Sequence, residues 1–446
     1  MARVFASIVF GCLFLSSCAT APRAPSQNTP LASAIDAYLR PWADARQFSG
    51  VVIVARGEEL LFERAYGMAD FSTGRAHSID SSFIIASLSK SFTAAVIERL
   101  AADGRLSFTD PISRFYPDFP RGGEITVEML LLHRSGVAGE DDLPDYEALR
   151  LQPVTLQQQV ARIAARPLQF EPGSRGSYSN SGYVLLAALA ERASGRDFRT
   201  LLQEAVLARI GASDSGVGDP QGRWPDSFGY DPGPAPDLVV EASRAVHPSH
   251  FVGAGSMVSD ADDVLAFLRA SDTGGALDVT GLRYPYGWGV REHHGRREIE
   301  QTGIDDGFIS AMAFYPDEDL YIVYLSNIHS GAFFQRAHID IAGIVFGQAA
   351  APFRPVAFDA APRDVSHLVG RYDFPDAGPL AISANASGLW MSWFGQTTYL
   401  DPIPGGAYYN RRDAVEMRFE SANGRPAAAL IWGVGDDAVR APRMPD

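Results

Sequence analysis

The chain has 446 residues, with 38 Lys and Arg against 53 Asp and Glu, a formal net charge of −15. That length corresponds to two or three domains of ordinary size, and a hydrophobic fraction of 46% argues against a disordered chain. The acidic excess disfavours non-specific binding to nucleic acid, which needs a basic stripe.

At the N-terminus, Met1 to Arg3 is a short positive segment and Val4 to Leu15 an apolar run, followed by Leu15-Ser16-Ser17-Cys18. The run is too short and too early for a polytopic membrane protein and has the form of a secretory signal. It lacks an A-x-A end, and its close resembles the lipobox of bacterial lipoproteins. The resemblance implies a signal peptide over 1–17 and lipid on Cys18. It also implies a chain anchored to a membrane of the bacterial cell envelope, on the periplasmic side. Palmitate labelling that disappears in Cys18→Ala is the signature expected of it. The only cysteines are Cys12 and Cys18, so the rest of the chain holds no disulfide. Residues 18–30, rich in Pro, Ser and Ala, read as a solvated tether.

Periodic patterns begin at Leu31, with Leu31 to Leu39 helix-like. Ser49 to Ala55 reads as a buried strand, and Glu59 to Arg64 as its hairpin partner across Arg56-Gly57-Glu58. Between Ser87 and Leu100, Phe92, Val96 and Leu100 mark one apolar helix face that Asp103-Gly104 closes. Leu156 to Ala165 and Tyr183 to Ala193 are helical patterns. Gly211 to Pro248, rich in Gly, Pro, Asp and Ser, is a long irregular excursion. Ile309 to Tyr315 and Leu320 to Ser326 form a second hairpin, and Ala332 to Phe346 a helix. Strands at both ends with helices between predict an α+β domain over 31–349, its antiparallel sheet built from both termini. Residues 350–363 read as a linker. In 364–446, Val415, Met417 and Phe419 alternate with polar residues. Asn423-Gly424 signals a hairpin before Ala427 to Trp432, and Leu389 to Trp393 is a further strand. This segment predicts a small all-β domain, a barrel or sandwich.

Two short patterns carry chemistry. In Ser87-Leu88-Ser89-Lys90 the serine and lysine share a helix face. Serine needs a base to become nucleophilic, and a lysine serves if desolvation lowers its pKa. Alone, the pattern is equally that of a capping serine and a surface lysine. In Tyr178-Ser179-Asn180 the flanking side chains point the same way if the backbone is extended, yet Pro172-Gly173 and Gly176 upstream also suit a plain turn.

Taken together they resemble the serine β-lactamase and penicillin-binding-protein-like family, in particular its class C and esterase-like branch. The first motif is S-x-x-K at Ser87 and Lys90. The second is Y-x-N at Tyr178 and Asn180. Leu131-Leu132-His133-Arg134-Ser135-Gly136 is similar to the family's L-L-x-H-T-S-G turn, with Arg134 in place of Thr. Gly253 to Ser259 with Asp262-Asp263, and Tyr286-Gly287-Trp288-Gly289, match further segments in the right order. The resemblance implies a β-lactamase-like fold, followed by the lipocalin-like barrel appended to many members. It implies a serine hydrolase, acting through a covalent acyl-enzyme on an ester or amide of a small molecule or peptide (an esterase, a D-amino-acid peptidase or a β-lactamase-like enzyme), without a cofactor. Ser87 is then the nucleophile, Lys90 and Tyr178 handle its proton, and Asn180 binds substrate. The backbone N–H groups of Ser87 and Ile304 form the oxyanion hole.

The third motif departs from the family pattern of Lys or His, any residue, then Gly. The matching residues are Gln301-Thr302-Gly303. Gln301 carries no charge and Asp305-Asp306 add negative charge nearby, so an anionic substrate is disfavoured. The alternative is a catalytically weak binding or envelope protein that keeps the fold. His133 reads as a structural turn residue more readily than as a general base. His247, His250, His293 and His294 read as surface histidines, and no metal site is expected.

Overall fold

A computed structural model describes residues 29–445 except 140–148, 150, 220–223, 234–238, 242–246, 273–286, 306, 351–352, 354–356, 360–363, 375–377, 394–395, 422–424 and 436–437. Cys18, Tyr286 and the Asn423-Gly424 turn lie outside the described residues. Among those described, no helix is long and apolar enough to cross a membrane.

Helix α1 (Pro30–Asp44) starts at the Thr29 cap and precedes strands β1 (Gly50–Arg56) and β2 (Glu59–Tyr66). The middle of the chain supplies helices α2 (Ser89–Ala102), α3 (Asn180–Ser194) and α4 (Ala261–Asp272). Strands β3 (Gly289–His293), β4 (Arg296–Asp305), β5 (Phe308–Tyr315) and β6 (Leu320–Ser326) follow, then α5 (Ala337–Val345). The strands form one antiparallel sheet in the order β3-β4-β5-β6-β1-β2. The two ends of the domain meet where β1 pairs with β6, from Gly50 opposite Ser326 to Arg56 opposite Leu320.

The strand period of two sorts the apolar runs onto two cores. Val51, Ile53 and Ala55, with Val323 and Leu325, face the core that holds α2, α3 and α4. Val52 and Val54, with Ile322 and Tyr324, face α1 and α5. Burial on both faces explains why these strands read as unbroken apolar runs.

The predicted single helix over Ala332 to Phe346 is two pieces, Gly331–Phe334 and α5. The break falls at Arg336, whose φ of −140° leaves the helical region, and the first piece starts against the C-terminal domain. Gly331 N–H donates to the Arg411 carbonyl at 3.1 Å, and a Cβ on Gly331 would lie 2.5 Å from the Arg412 carbonyl oxygen. The excursion from Gly211 to Pro248 contains short strands at Gly216–Val217, Tyr230–Pro232 and Val239–Glu241.

The C-terminal segment is an eight-stranded antiparallel meander, β7 (Gly370–Phe374) through β14 (Val439–Pro442). It curls into a nearly closed barrel. Tyr372 bridges to Arg443, and Met444 N–H donates to the Arg371 carbonyl at 2.8 Å. Leu380, Met391, Leu400, Met417 and Leu430 fill its interior. Two described residues before it are bonded or packed to other elements. Phe353 packs on Trp42 with ring centres 4.5 Å apart, and Asp359 N–H donates to the Pro402 carbonyl at 2.8 Å.

Candidate active site

Ser87 is presented by a kink. Phe83–Ile84 pairs with the strand Met257–Ser259, and Ile85 N–H donates to the Met257 carbonyl at 3.0 Å. Ala86 then takes a left-handed φ of 48°, which costs a residue with a Cβ about 1 kcal/mol. The Ser89 hydroxyl holds this turn by donating to the Ala86 carbonyl at 2.6 Å and accepting from Met257 N–H at 3.1 Å. Ser87 sits in a 3₁₀ turn, Ala86–Leu88, just before α2 rather than inside the helix as its spacing suggested. Helix α2 is also buried almost all round, including Ser89, Lys90, Ser91 and Thr93, rather than on one face. Its polar side chains find partners there, as when Thr93 Oγ1 donates to the Gly253 carbonyl at 2.7 Å.

Lys90 is fully buried. Its Nζ lies 3.0 Å from Ser87 Oγ, 2.8 Å from Asn180 Oδ1 and 2.6 Å from the Ala254 carbonyl oxygen. Burial lowers its pKa to about 7, against a small opposing pull from Asp305. Two of the three contacts are acceptors with no proton to give. A neutral amine therefore donates to Asn180 and Ala254 and turns its lone pair to the Ser87 hydroxyl.

Tyr178 and Asn180 flank Ser179, whose φ of −144° and ψ of 116° are extended, so both side chains reach one side. Ser179 also caps α3, and Asn180 is already its first helical residue. The Tyr178 hydroxyl is 2.7 Å from Ser87 Oγ. Although the ring is 60% exposed, desolvation at the hydroxyl raises that phenol to about 12, so it holds its proton at neutral pH. His133, at a left-handed φ of 55°, accepts the Ser179 N–H on Nδ1 at 3.1 Å and packs its ring 4.7 Å from that of Tyr178. Burial and the neighbouring Lys90 push His133 down to about 4, which keeps it neutral. It positions the tyrosine and does not touch Ser87 through any hydrogen bond described. Sequence reasoning did not see this support; the L-L-H-R-S-G turn was its only trace.

Strand β4 forms the opposite wall. Its pairing with β3 ends at Glu300, so Gln301 to Asp305 keep one edge clear of β3. A Cβ on Gly303 would lie 2.9 Å from Ser87 N, 2.7 Å from the Ile85 carbonyl oxygen and 2.6 Å from Ser310 Oγ. Only glycine lets the strand approach the serine this closely. Gly303→Ala is expected to cost about 1–3 kcal/mol through overpacking. It should also lower kcat by at least tenfold, because the Ser87 amide must move. Urea melts and ester turnover check both effects, and wild-type values in both would overturn the fit. The Ile304 side chain on the same edge is 45% exposed, so this wall opens to solvent.

The family model described as Beta-lactamase matches residues 34–345. The chain belongs to the β-lactamase family. Its relatives in this β-lactamase and penicillin-binding-protein-like group are serine hydrolases. Penicillin-binding protein 4* of Bacillus subtilis is 26% identical over 441 residues, spanning 89% of this chain and 96% of that protein. Esterase EstB of Burkholderia gladioli is 32% identical over 277 residues, spanning 54% of this chain and 70% of the esterase. Among solved structures, a D-amino acid amidase from Ochrobactrum anthropi SV3 superposes with a TM-score of 0.61 at 25% identity. That match covers 72% of this chain and 98% of the amidase.

Within the family frame, Gln301 is turned away from the serine. Its Nε2 donates to the Gly287 carbonyl at 2.5 Å and its Oε1 accepts from Thr302 N–H at 3.0 Å. Ser91 Oγ donates to the same Gly287 carbonyl at 2.7 Å, so this glutamine ties β4 to α2. Of the histidines read as surface residues, His250 needs correcting. His250 is fully buried with Nε2 2.9 Å from the Gln152 carbonyl oxygen, and His294 Nε2 is 2.8 Å from that of Ile339. Buried rings adopt such bonds because an unpaired ring N–H is costly away from water. His293 faces the buried Glu298, with Nε2 3.4 Å from Oε2.

Proposed function

We propose that the protein hydrolyses esters or amides through a covalent acyl-enzyme on Ser87. The observation that carries this reading is the Lys90 amine, dehydrated, lowered to about 7 and in contact with Ser87 Oγ. Neutral Lys90 takes the Ser87 proton as Oγ attacks the substrate carbonyl carbon. The resulting oxyanion is stabilised by the backbone N–H groups of Ser87 and Ile304. The leaving oxygen or nitrogen takes its proton from the Tyr178 hydroxyl, 2.7 Å from the serine. Water then attacks the acyl group and returns a proton to the Tyr178 oxygen. Lys90 gives its own proton back to Ser87 as the ester breaks, and the cycle closes with every group restored.

The substrate is neutral or cationic near the acyl carbon. No lysine or histidine occupies the third-motif position, the Gln301 amide is held by backbone, and Asp305 adds negative charge beside Lys90. A substrate carboxylate therefore lacks its partner. The esterase and D-amino acid amidase among the similar proteins support this choice. A panel of short-chain nitrophenyl esters, D-amino-acid anilides and a chromogenic cephalosporin tests it. The esters or anilides should exceed the cephalosporin in kcat/KM by at least about tenfold, a difference of about 1.4 kcal/mol in transition-state binding. Gln301→Lys should narrow that gap. A cephalosporin turned over best would overturn the substrate assignment. No turnover of any member, with Ser87 unlabelled by activated esters, would favour a binding protein that keeps the fold.

A further inference from the structure

The face of β4 that points away from Ser87 carries a second set of reactive side chains. Glu298 and Glu300 lie two residues apart on that face, against His338 of α5. All three are buried, and one donor atom from each falls within 4.8 Å of the others. His338 Nε2 is 3.0 Å from Glu300 Oε2 and 3.8 Å from Glu298 Oε1. His293 Nε2 approaches the other Glu298 oxygen at 3.4 Å. Glu298 is wholly buried, and neither of its oxygens accepts a hydrogen bond of ordinary geometry. The Nδ1 of His338 is in the same condition, whereas its Nε2 faces Glu300 and the Tyr315 hydroxyl lies beside Glu298. Arg291 pairs with Glu300 through Oε1, which leaves Oε2 for His338 and neutralises only one of the two carboxylates.

Buried donors without partners are costly, and a buried carboxylate needs a compensating positive charge. The spacings of 3.0 and 3.8 Å from His338 Nε2 to the two carboxylates bracket the edge of about 3.3 Å expected for a tetrahedron of nitrogen and oxygen ligands bound at about 2.0–2.1 Å. Two carboxylates and one imidazole, with a fourth position open to water, form a set suited to zinc. We propose that Glu298, Glu300 and His338 bind one divalent cation of the zinc type. The ion would staple β4 to α5. Because β4 carries Gly303 and Ile304 next to Ser87, the staple would hold the wall of the active site from behind.

The test uses the full chain and zinc itself. After removal of metal and dialysis against chelator-buffered zinc, the wild type and Ser87→Ala should each retain about one zinc per chain. Glu298→Gln and His338→Ala should each weaken zinc binding by at least about tenfold. Zinc at about 100-fold over its Kd should raise the wild-type Tm by about 2–5 °C and leave that of Glu298→Gln unmoved. Glu298→Gln keeps the shape of the side chain, and an unchanged far-ultraviolet circular dichroism spectrum reports an intact fold. Wild type with less than about 0.1 zinc per chain and no Tm shift would overturn the site. Equal zinc affinity in the wild type and both variants would overturn it as well. Neither readout depends on whether the acyl-enzyme reading is right.

Discussion

Ser87→Ala is expected to lower kcat/KM for the best ester by roughly 10⁴–10⁶-fold and to abolish covalent labelling by a fluorophosphonate. The size of the effect follows from how the site is divided. Ser87 Oγ is the atom on which Lys90 at 3.0 Å and Tyr178 at 2.7 Å converge. The backbone donors survive the substitution, and they account for the activity that remains. The fold should be unchanged, because the Ala86 turn is held by Ser89 and Met257 rather than by Ser87. Labelling that persists in the variant would mean a different nucleophile and would remove the mechanism altogether.

Lys90→Met is expected to lower kcat/KM by about 10²–10⁴-fold, the range of a lost general base, while Ser87 stays in place. Its second consequence is in the pH dependence. The base form is the neutral amine, so wild-type kcat/KM should rise with pH through about 7 and the variant should lose that limb. Stability should show the same group. Lys90 lies at about 7 in the folded chain against an ordinary 10.5, so between those values the unfolded chain binds more protons. Stability therefore rises with pH across that window, by up to about 1.4 kcal/mol per unit from this one residue. Below about 7 both states are protonated and the contribution is flat. Urea melts at pH 7 and pH 9 should show the rise in wild type and not in Lys90→Met. Equal slopes would mean that Lys90 keeps an ordinary pKa and is not the base.

The local pattern around the site was readable because it is short-range. A serine and a lysine three positions apart share a side of one helical turn wherever they occur, and Tyr178 and Asn180 flank one extended residue. The hairpins β1–β2 and β5–β6 were legible for the same reason, as apolar runs separated by turn residues. Where the sequence reading missed, a distant segment decided the outcome. The helix expected from Ala332 begins instead at Gly331, where the Arg411–Arg412 backbone docks on it. His250 looked like a surface residue beside a proline, yet it is buried and bonded to Gln152, almost a hundred positions away.

The order of motifs, the one-turn spacing of Ser87 and Lys90 and the apolar runs of the two hairpins belong to the sequence, because periodicity and spacing act over a few residues. Tertiary structure alone decided that Lys90 is dehydrated, that Gln301 is bound to Gly287, and that Glu298 and Glu300 meet His338 behind the same strand. Those outcomes depend on what chain folds over each side chain and how much water it displaces, and residue spacing carries no record of either.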